Sequence, residues 1–280
     1  LPFGHRDNYC ASRSIFTAIR RATQYACPVP PTVWLVLPTY NEAENVEAIV
    51  AAAGLQLEAA ASGNWKILVV DDGSPDGTGA MADRMAAENP NIEVLHRTRK
   101  EGLGRAYVDG FRKALDGGAD LIVQMDADFS HDPADIPRLL AAAESADLVI
   151  GSRYTAGGAV RDWGTTRRVL SRGGCLYAST VLGVQVSDLT GGFKCLRRRT
   201  LELIDLDSVK AQGYVFQIEM TYRAILQGLR VVEVPITFRD RQAGTSKMSS
   251  RIALEAMTAV VKLRSRAESE VREINRAAGR

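Results

Sequence analysis

The sequence predicts an α/β fold in which a mostly parallel sheet is flanked by helices. Short β-branched runs alternate with longer helix-like stretches from Pro31 onward. The runs are apolar throughout, which is typical of strands buried on both faces of a parallel sheet. Polar residues gather where these runs end, and ligands of such sheets bind at the carboxyl ends of the strands. The predicted strands occupy residues 33–40, 65–72, 92–97, 120–127 and 147–153.

The alternation becomes less regular beyond Tyr154. A glycine-rich loop (155–166) precedes a helical pattern at 167–184, and residues 187–204 predict a short strand that leads into a helix. Residues 213–228 have the periodicity of an amphipathic helix, and the strand pattern RVVEVPITF follows it.

The composition is that of an ordinary globular protein. Its 280 residues are 46% hydrophobic and 24% charged, which is enough for a normal core. A net charge of +2 is too balanced to favour nucleic acid as a partner. No window reaches the roughly 20 apolar residues of a membrane helix. Because Cys10, Cys27, Cys175 and Cys195 lack metal-type spacing, we expect reduced thiols and a cytoplasmic protein.

Three regions are predicted along the chain. Residues 1–30 form an N-terminal extension that ends in the proline-rich CPVPP and that we expect to be poorly ordered. Residues 31–248 form the main domain. Residues 249–280 begin as an amphipathic helix with basic ends, suited either to a bilayer interface or to packing on the domain, and end in a charged tail.

Polar motifs follow four of the predicted strands: PTYNEAEN, DDGSPDGT, DADFSHDP and GSRY. Each has a simpler explanation by itself, since Asn41 could cap a helix and DGSPDGT could be a turn. Together they predict one ligand site at the carboxyl edge of the sheet. The chain lacks a GxGxxG at the first helix and any GxxxxGK[ST], so we expect a nucleotide held by carboxylates and a metal.

Asp126 and Asp128 stand where an apolar strand ends. An extended strand would point both side chains the same way, because they are two residues apart. Paired carboxylates suit Mg²⁺ or Mn²⁺, which prefer oxygen ligands, and His131 is a further ligand or a hydrogen-bonding neighbour. The alternative is a pair of solvated acids capping the helix near Pro133, which the apolar strand disfavours.

Acidic residues also follow the first two strands. One of Asp71 and Asp72 can accept hydrogen bonds from a base or a ribose, while the other braces the loop. Glu42 could do the same for a nucleoside, although an acid in the first turn of a helix is the simpler explanation for it.

The motifs PTYNE, VVDDGSPDGT, GLG, MDADFSHDP, GSRY, LTGGFK, GYVFQIEM and DRQAGTSK resemble glycosyltransferase family 2, and within it the polyprenol-phosphate (dolichol-phosphate) mannosyltransferases. The resemblance extends from about residue 31 to about residue 263, with the motifs in the family's order. It implies a GT-A-type, Rossmann-like catalytic domain. It also implies inverting transfer of mannose from GDP-mannose to a polyprenyl phosphate, which leaves GDP.

The resemblance carries site roles to individual residues. Asp126 and Asp128 would hold the divalent cation, Mg²⁺ or Mn²⁺. Some members have a glutamine ligand where this chain has Ser130, which leaves the third protein ligand open. The implied nucleotide-sugar contacts are Pro38, Tyr40, Glu42, Asp71, Asp72, Gly104, Asp126, Ala127, Asp128, Gln217 and Lys247.

The acceptor phosphate is already anionic near neutral pH, so it needs positioning more than deprotonation. Arginine suits this task because its planar fork binds two phosphate oxygens. A solvated basic surface is the alternative for any single arginine, and we accept it for the RRR at 197–199. Asp188 is expected to orient the sugar or an arginine. The predicted acceptor-phosphate ligands are Arg153, Arg168, Ser171, Arg172 and Arg241, of which Arg153 and Arg241 are predicted to be catalytic together with Asp128.

The expected partners are GDP-mannose, a polyprenyl phosphate lipid, and a membrane surface or a membrane-anchoring protein. The expected location is peripheral, at the cytosolic face of a membrane. Two alternatives are transfer of glucose from UDP-glucose on the same fold and a nucleotide-sugar-binding subunit without catalysis. The intact DAD motif and the arginines weigh against the second.

Overall fold

The structure is a computed structural model that describes residues 30–209, 211–240 and 257–266. Within these residues the strands form a seven-stranded sheet, in the order β3-β2-β1-β4-β7-β5-β8, and a two-stranded sheet of β6 and β9. The strands are β1 Val33–Thr39, β2 Trp65–Asp71, β3 Ile92–His96, β4 Leu121–Gln124, β5 Leu148–Ser152, β6 Ala159–Val160, β7 Lys194–Arg197, β8 Val231–Pro235 and β9 Thr237–Phe238.

Helices cover both faces of the larger sheet. They are α1 Val46–Ala61, α2 Thr78–Glu88, α3 Leu103–Asp116, α4 Ile136–Ala143, α5 Thr165–Leu182, α6 Arg198–Leu203 and α7 Gly213–Leu226. Short 3-10 turns lie at Pro133–Asp135 and Leu206–Ser208, and residues 257–266 are also helical.

The core has two halves, one on each face of the sheet. Along β1, Trp34 and Val36 pack with α3, α5 and α7, whereas Val33, Leu35 and Leu37 pack with α1, α2 and α4. This division follows from the two-residue period of a strand. Every residue of β1 is buried because both faces are covered, which confirms the mostly parallel, helix-flanked α/β fold.

Strand β7 runs antiparallel between β4 and β5, while the other neighbouring pairs of this sheet are parallel. Lys194 at the start of β7 therefore pairs with Gln124 at the end of β4. The chain just before β7, residues 187–193, enters the sheet at the carboxyl edge of the parallel strands. This topology adds an LTGGF segment to the edge where the predicted motifs end.

The structure corrects one predicted strand end and does not test the predicted domain boundaries. Strand β4 ends at Gln124 and does not continue to residue 127. The boundaries at residues 30 and 248 stay predictions, because residues 1–29, 241–256 and 267–280 lie outside the described part of the chain. Within that part, no helix combines the length and apolar character needed to cross a membrane.

Candidate active site

Asp126 lies just beyond the end of β4, and its carboxylate accepts a hydrogen bond from a buried tyrosine. The hydroxyl of Tyr107, on α3, donates a hydrogen bond to Asp126 Oδ1 at 2.8 Å. Burial, and then the charge of Asp126, raise the pKa of Tyr107 well above 10. The phenol therefore stays a donor, and the 27% exposure of the Asp126 side chain leaves part of the carboxylate facing solvent.

Asp128 follows in an irregular turn, not in an extended strand. Phe129 has a φ of 58°, and the backbone N–H of Ser130 donates to Asp128 Oδ1 at 3.0 Å. The prediction that Asp126 and Asp128 both lie on an extended strand is therefore wrong. The two carboxylates are nevertheless close to the same side chains. The charges of Asp126 and Asp128 each raise the pKa of Tyr107, and each opposes the lowering of the pKa of His131 by burial.

His131 is a buried hydrogen-bonding neighbour of Asp126. The backbone N–H of Asp126 donates to His131 Nδ1 at 3.3 Å, so this nitrogen is an acceptor in the neutral ring. Burial lowers the pKa of His131, and the ring stacks on Phe193 at 5.1 Å. Of the two roles predicted for His131, these contacts favour the neighbour over the metal ligand.

The donor set at this turn fits a hard divalent cation. Asp126 and Asp128 supply carboxylate oxygens, the ligands that Mg²⁺ and Mn²⁺ prefer. The hydroxyl of Ser130 is buried and has no hydrogen-bond partner among the described residues. No cluster of three or more His, Cys, Asp or Glu side chains suited to a metal occurs in the described part. Among the described residues, those that would hold the cation are Asp126 and Asp128.

Arg153, which follows β5, is a member of a buried ion pair. Its Nε and one terminal nitrogen donate to the two carboxylate oxygens of Asp188 at 2.7 and 2.6 Å, and the same terminal nitrogen donates to Thr190. Burial alone would raise the pKa of Asp188, but the charge of Arg153 and its hydrogen bonds outweigh burial and lower it. The pair is thus ionised on both sides.

This placement differs from the expectation that the fork of Arg153 faces the acceptor phosphate. The fork is occupied by Asp188, and the Arg153 side chain is only 5% exposed. The guanidinium carbon also lies 5.1 to 5.7 Å from the ring centroids of Tyr154, Trp163 and Phe238. Asp188 orients an arginine, as one of its two predicted roles required.

The loops after β1 and β2 are tied together by the DDGSPDGT motif. Asp71 accepts hydrogen bonds from the backbone N–H (3.1 Å) and the hydroxyl (2.5 Å) of Ser74. Asp76 Oδ2 accepts from the backbone N–H of Ala43 at 3.0 Å. These contacts give Asp71 the role of bracing the loop, so Asp72 is the better candidate for a nucleoside ligand.

Asp72 is buried and paired with Arg97, which also bonds Glu101 and Asp109. The backbone N–H of Asp72 donates to the carbonyl of Thr39 at 3.0 Å, so Asp72 lies beside the end of β1. Burial raises the pKa of Asp72 despite the opposing charge of Arg97. The pairing fixes the carboxylate at the sheet edge.

The other predicted nucleoside contacts follow β1 or lie in it. Pro38 is buried within β1, whereas Tyr40 is 36% exposed and has the ammonium of Lys100 at 3.4 Å from its ring centroid. Glu42 accepts a hydrogen bond from the side-chain amide of Asn45 at 3.0 Å. Tyr40 is therefore the most exposed of the three, and Lys100 lies over its ring.

Gly104 and Gln217 are engaged within the protein. The N–H of Gly104 donates to Gln212 Oε1 at 3.1 Å, and a Cβ on this glycine would lie 2.6 Å from the carbonyl oxygen of Ala211. Gln217 Oε1 accepts from Gln124 (2.8 Å) and from the buried ammonium of Lys194 (3.0 Å). The contacts place both residues in the support of the site rather than at its open face. Ala127 is buried in the core cluster that contains α1, α2 and α4.

Helix α5 carries the remaining described candidates for the acceptor phosphate. Arg168 and Arg172 are exposed, whereas Ser171 is buried and accepts a hydrogen bond from the Tyr154 hydroxyl at 2.7 Å. Arg167 bonds Asp240 at 2.9 Å and stacks on Trp163. The predicted ligands Arg241 and Lys247 lie outside the described residues.

Four residues of this site were not predicted from the sequence: Arg97, Tyr107, Gln124 and Lys194. Gln124 lies in an apolar stretch and Tyr107 lies between Arg105 and Asp109, and neither local sequence indicates the partner of the side chain. Lys194 stands in the otherwise apolar GGFKCL, and a lysine in a buried strand is rare enough to have been a signal.

The family follows from comparison with known sequences. Residues 34–204 match the family described as Glycosyl transferase family 2, and the chain belongs to this family. It is 48% identical over 230 residues to the undecaprenyl-phosphate mannosyltransferase of Micrococcus luteus, covering 82% of this chain and 93% of that one. It is 50% identical over 225 residues to the polyprenol monophosphomannose synthase of Mycolicibacterium smegmatis, covering 80% and 83%.

Solved structures with the same fold are more distant in sequence. Glucosyl-3-phosphoglycerate synthase of Mycobacterium tuberculosis, in complex with Mn²⁺, UDP and glucosyl-3-phosphoglycerate, has a TM-score of 0.60 at 18% identity, covering 94% of this chain and 87% of that one. A mannosyltransferase of Pyrobaculum calidifontis in complex with GDP-Man and Mn²⁺ has a TM-score of 0.51 at 16% identity, covering 94% and 83%. These likenesses confirm the GT-A-type fold.

Proposed function

We propose that this protein transfers mannose from GDP-mannose to a polyprenyl phosphate, with inversion at the anomeric carbon, and releases GDP. The observation that carries the proposal is the carboxylate pair Asp126 and Asp128 at the carboxyl edge of the sheet, in a chain about half identical to two enzymes with mannosyl-lipid names.

In this proposal each part of the edge has a separate task. Asp126 and Asp128 hold a divalent cation, with Tyr107 fixing the first of them. The cation, when bound, neutralises the charge that develops on the departing diphosphate. Asp72 and Tyr40 hold the nucleoside of the donor. Asp126 and Asp128 would supply the protein's carboxylate oxygens to the cation, next to the place proposed for the donor diphosphate.

The acceptor phosphate is the nucleophile, and no protein base is needed because it is already an anion near neutral pH. Its position is the main requirement. The exposed Arg168 and Arg172 on α5 are the described cations suited to bind it, and Arg241 stays a predicted ligand. The Arg153–Asp188 pair serves as a buried support that joins the GSRY turn to the chain just before β7, residues 187–193.

The direct test is transfer of labelled sugar. The purified chain is incubated with GDP-mannose or UDP-glucose, each with polyprenyl phosphate in vesicles, and labelled lipid is extracted. We expect mannosyl lipid from GDP-mannose with Mg²⁺ or Mn²⁺ and none after chelation. Glucosyl lipid as the main product, or full activity in chelator, would contradict the proposal.

Isosteric variants test the carboxylates. Asp128→Asn keeps the shape of the side chain but removes its charge, so transfer should fall on the order of 10²-fold or more while the circular dichroism spectrum stays that of the parent. Asp116→Asn is the matched control, because Asp116 is exposed at the end of α3. Equal losses in both variants, or no loss in the first, would refute the assigned role.

A further inference from the structure

Lys194 places a charged group in the interior, behind the loops of the candidate site. Its side chain has no exposed surface, and the residue pairs in the sheet with Gln124 at the end of β4. The ammonium donates to the backbone carbonyl of Gln217 at 2.8 Å and to Gln217 Oε1 at 3.0 Å. Lysine is almost never fully buried, because removal of its charge from water is costly. Its burial next to a candidate active site indicates a role beyond packing in the core.

Two donors determine which end of the Gln217 amide faces which way. An ammonium group only donates, so the Gln217 atom that lies 3.0 Å from Lys194 is the oxygen. Gln124 leads to the same assignment, because its amide nitrogen donates to the carbonyl of Gly192 at 2.9 Å and to Gln217 Oε1 at 2.8 Å. Gln217 Oε1 therefore has two donors. In the described part of the chain, no acceptor takes a hydrogen bond from Gln217 Nε2.

The nitrogen end of this amide lies beside Gly192. A Cβ built on Gly192 would be 3.7 Å from Gln217 Nε2, 3.5 Å from Asp126 Oδ2 and 3.4 Å from His131 Cε1. The amide nitrogen and the Asp126 oxygen therefore border the same small gap. The other oxygen of Asp126 accepts from Tyr107. A ligand oxygen in this gap would have the amide nitrogen of Gln217 as a donor.

The orientation of the amide decides what the gap offers to a ligand. With Nε2 toward Gly192 the amide donates to oxygens, whereas a reversed amide would present Oε1 and repel them. The phosphate and sugar oxygens of a nucleotide sugar are hydrogen-bond acceptors, so the observed orientation suits this class of ligand. A hydrogen bond from a charged donor is roughly twice as strong as one between neutral groups. Lys194 therefore contributes more to this orientation than Gln124 does.

We propose that Lys194 is a positioning residue for the nucleotide-sugar donor. With Gln124 it holds the amide of Gln217 so that Nε2 donates to an oxygen of the donor beside Asp126. The identity of this ligand rests on the proposed function, whereas the orientation of the amide rests on the hydrogen bonds alone. The oxygen belongs either to the diphosphate or to a hydroxyl of the sugar.

Calorimetric titration of a double-mutant cycle tests this role. Binding of GDP-mannose with Mg²⁺, without acceptor, is measured for the parent, K194M, Q217M and K194M/Q217M. Each single variant should bind on the order of tenfold more weakly, because one donor to the ligand is lost or misdirected. The double variant should bind no more weakly than Q217M, because Lys194 acts through Gln217. Losses that multiply in the double variant, or no loss in K194M, would overturn the proposal.

Thr221→Val is the matched control. The hydroxyl of Thr221 is buried and donates to the same backbone carbonyl of Gln217, at 3.1 Å, but its bond does not involve Oε1. T221V should therefore keep the affinity of the parent for GDP-mannose. A loss in T221V equal to that in K194M would assign the effect to the packing of α7 and would contradict the role of the amide.

Titration with GDP identifies the ligand oxygen. A loss with both GDP and GDP-mannose assigns it to the diphosphate, and a loss with GDP-mannose alone assigns it to the sugar. In the transfer assay, K194M should raise the KM for GDP-mannose on the order of tenfold and leave the KM for polyprenyl phosphate unchanged. A merely structural role would lower kcat through partial unfolding and leave both KM values unchanged, which would refute positioning of the donor.

The outcome can be separated from that of the proposed function. If the parent binds neither GDP nor GDP-mannose, the assigned donor is wrong and the positioning role is overturned with it. If the parent binds GDP-mannose but the losses in the cycle multiply, the proposed function stands and only the role of Lys194 is overturned.

Discussion

Residues without charge do much of the positioning at this site. Tyr107 is fully buried, its ring stacks at 5.8 Å on Phe111 and on Phe216, and its hydroxyl reaches Asp126. A hydrogen bond to a metal-binding carboxylate fixes the orientation of that ligand. The aromatic packing therefore determines where one half of the carboxylate pair points.

Removal of this hydroxyl should weaken metal binding. Tyr107→Phe keeps the stacked ring but frees Asp126 Oδ1, so the affinity for Mn²⁺ in the presence of GDP should fall about 10-fold or more. Electron paramagnetic resonance of free Mn²⁺ measures the affinity without relying on activity. Tyr214→Phe, at a 39% exposed tyrosine, is the control. Unchanged Mn²⁺ affinity in Tyr107→Phe would show that the hydrogen bond does not position the ligand.

Lys194 is a second buried residue with an unusual environment. Its ammonium donates to the backbone carbonyl of Gln217 at 2.8 Å and to the side-chain oxygen of the same residue, and it has no exposed surface. Burial lowers the pKa of Lys194 to about 7, while the charge of Asp188 acts in the opposite direction. Its protonation therefore changes near neutral pH in the folded protein.

This shift predicts how stability depends on pH. Between pH 7 and the ordinary lysine pKa of 10.5 the unfolded chain binds the extra proton, so raising the pH favours the folded state. Below about pH 7 Lys194 is protonated in both the folded and the unfolded state, so the destabilisation from burying its charge no longer changes with pH. The free energy of unfolding of the parent relative to Lys194→Met should rise by roughly 1 kcal/mol per pH unit between pH 7 and 10. Urea unfolding of both proteins across this range measures it, and a constant difference would contradict the shift.

At the scale of elements, the contact of α3 with the sheet is unusually close. A Cβ at Gly110 would lie 2.5 Å from Val36 Cγ1 and 3.0 Å from Val70 Cγ2. Both valines are buried strand residues with little room to move. This glycine lets α3, which carries Tyr107, approach β1 and β2.

Alanine substitutions should separate this packing effect from helix propensity. Gly110→Ala gains about 1 kcal/mol of propensity but should lose about 1–3 kcal/mol to overpacking, for a net destabilisation. Gly173→Ala on α5 meets nothing within 4 Å and should stabilise by up to about 1 kcal/mol. Urea unfolding compares the two, and changes of the same sign would contradict the packing argument.

At the scale of the whole molecule, the site joins segments from most of the described sheet. The loops after β1 and β2 hydrogen-bond to each other, and the turns after β4 and β5 lie against the chain that enters β7. Glu233 on β8 accepts from the backbone N–H of Ser187 and of Asp188 at 2.9 Å. Binding of a ligand across these segments should therefore stabilise the whole fold.

A thermal shift with GDP and Mn²⁺ measures this coupling. A ligand that binds only the folded state adds about 2.7 kcal/mol at a concentration of 100 times its Kd, which is on the order of 5 °C for a domain of this size. We expect this shift with GDP, a smaller one with UDP, and none after EDTA. A shift that survives EDTA in full would mean that the nucleotide binds without the cation.

The sequence by itself determined most of the strands, the mostly parallel character of the sheet and the acidic motifs at its edge. It missed β6, which lies in the segment predicted to be a glycine-rich loop, and the end of β4 at Gln124. Apolar runs and their polar ends are local patterns, and period-two burial on both faces of β1 follows from them directly. The family resemblance is confirmed by the match to residues 34–204. It could be detected from the sequence because the motifs are contiguous stretches.

Only the tertiary structure decided which polar side chains meet. The antiparallel insertion of β7 brings Asp188 to Arg153, 35 residues earlier in the chain, and so turns a predicted phosphate ligand into half of a buried ion pair. Tyr107 reaches Asp126 because α3 packs across the sheet. Such pairings depend on strand order and helix packing, which couple residues far apart in sequence and leave no mark on the local pattern of either partner.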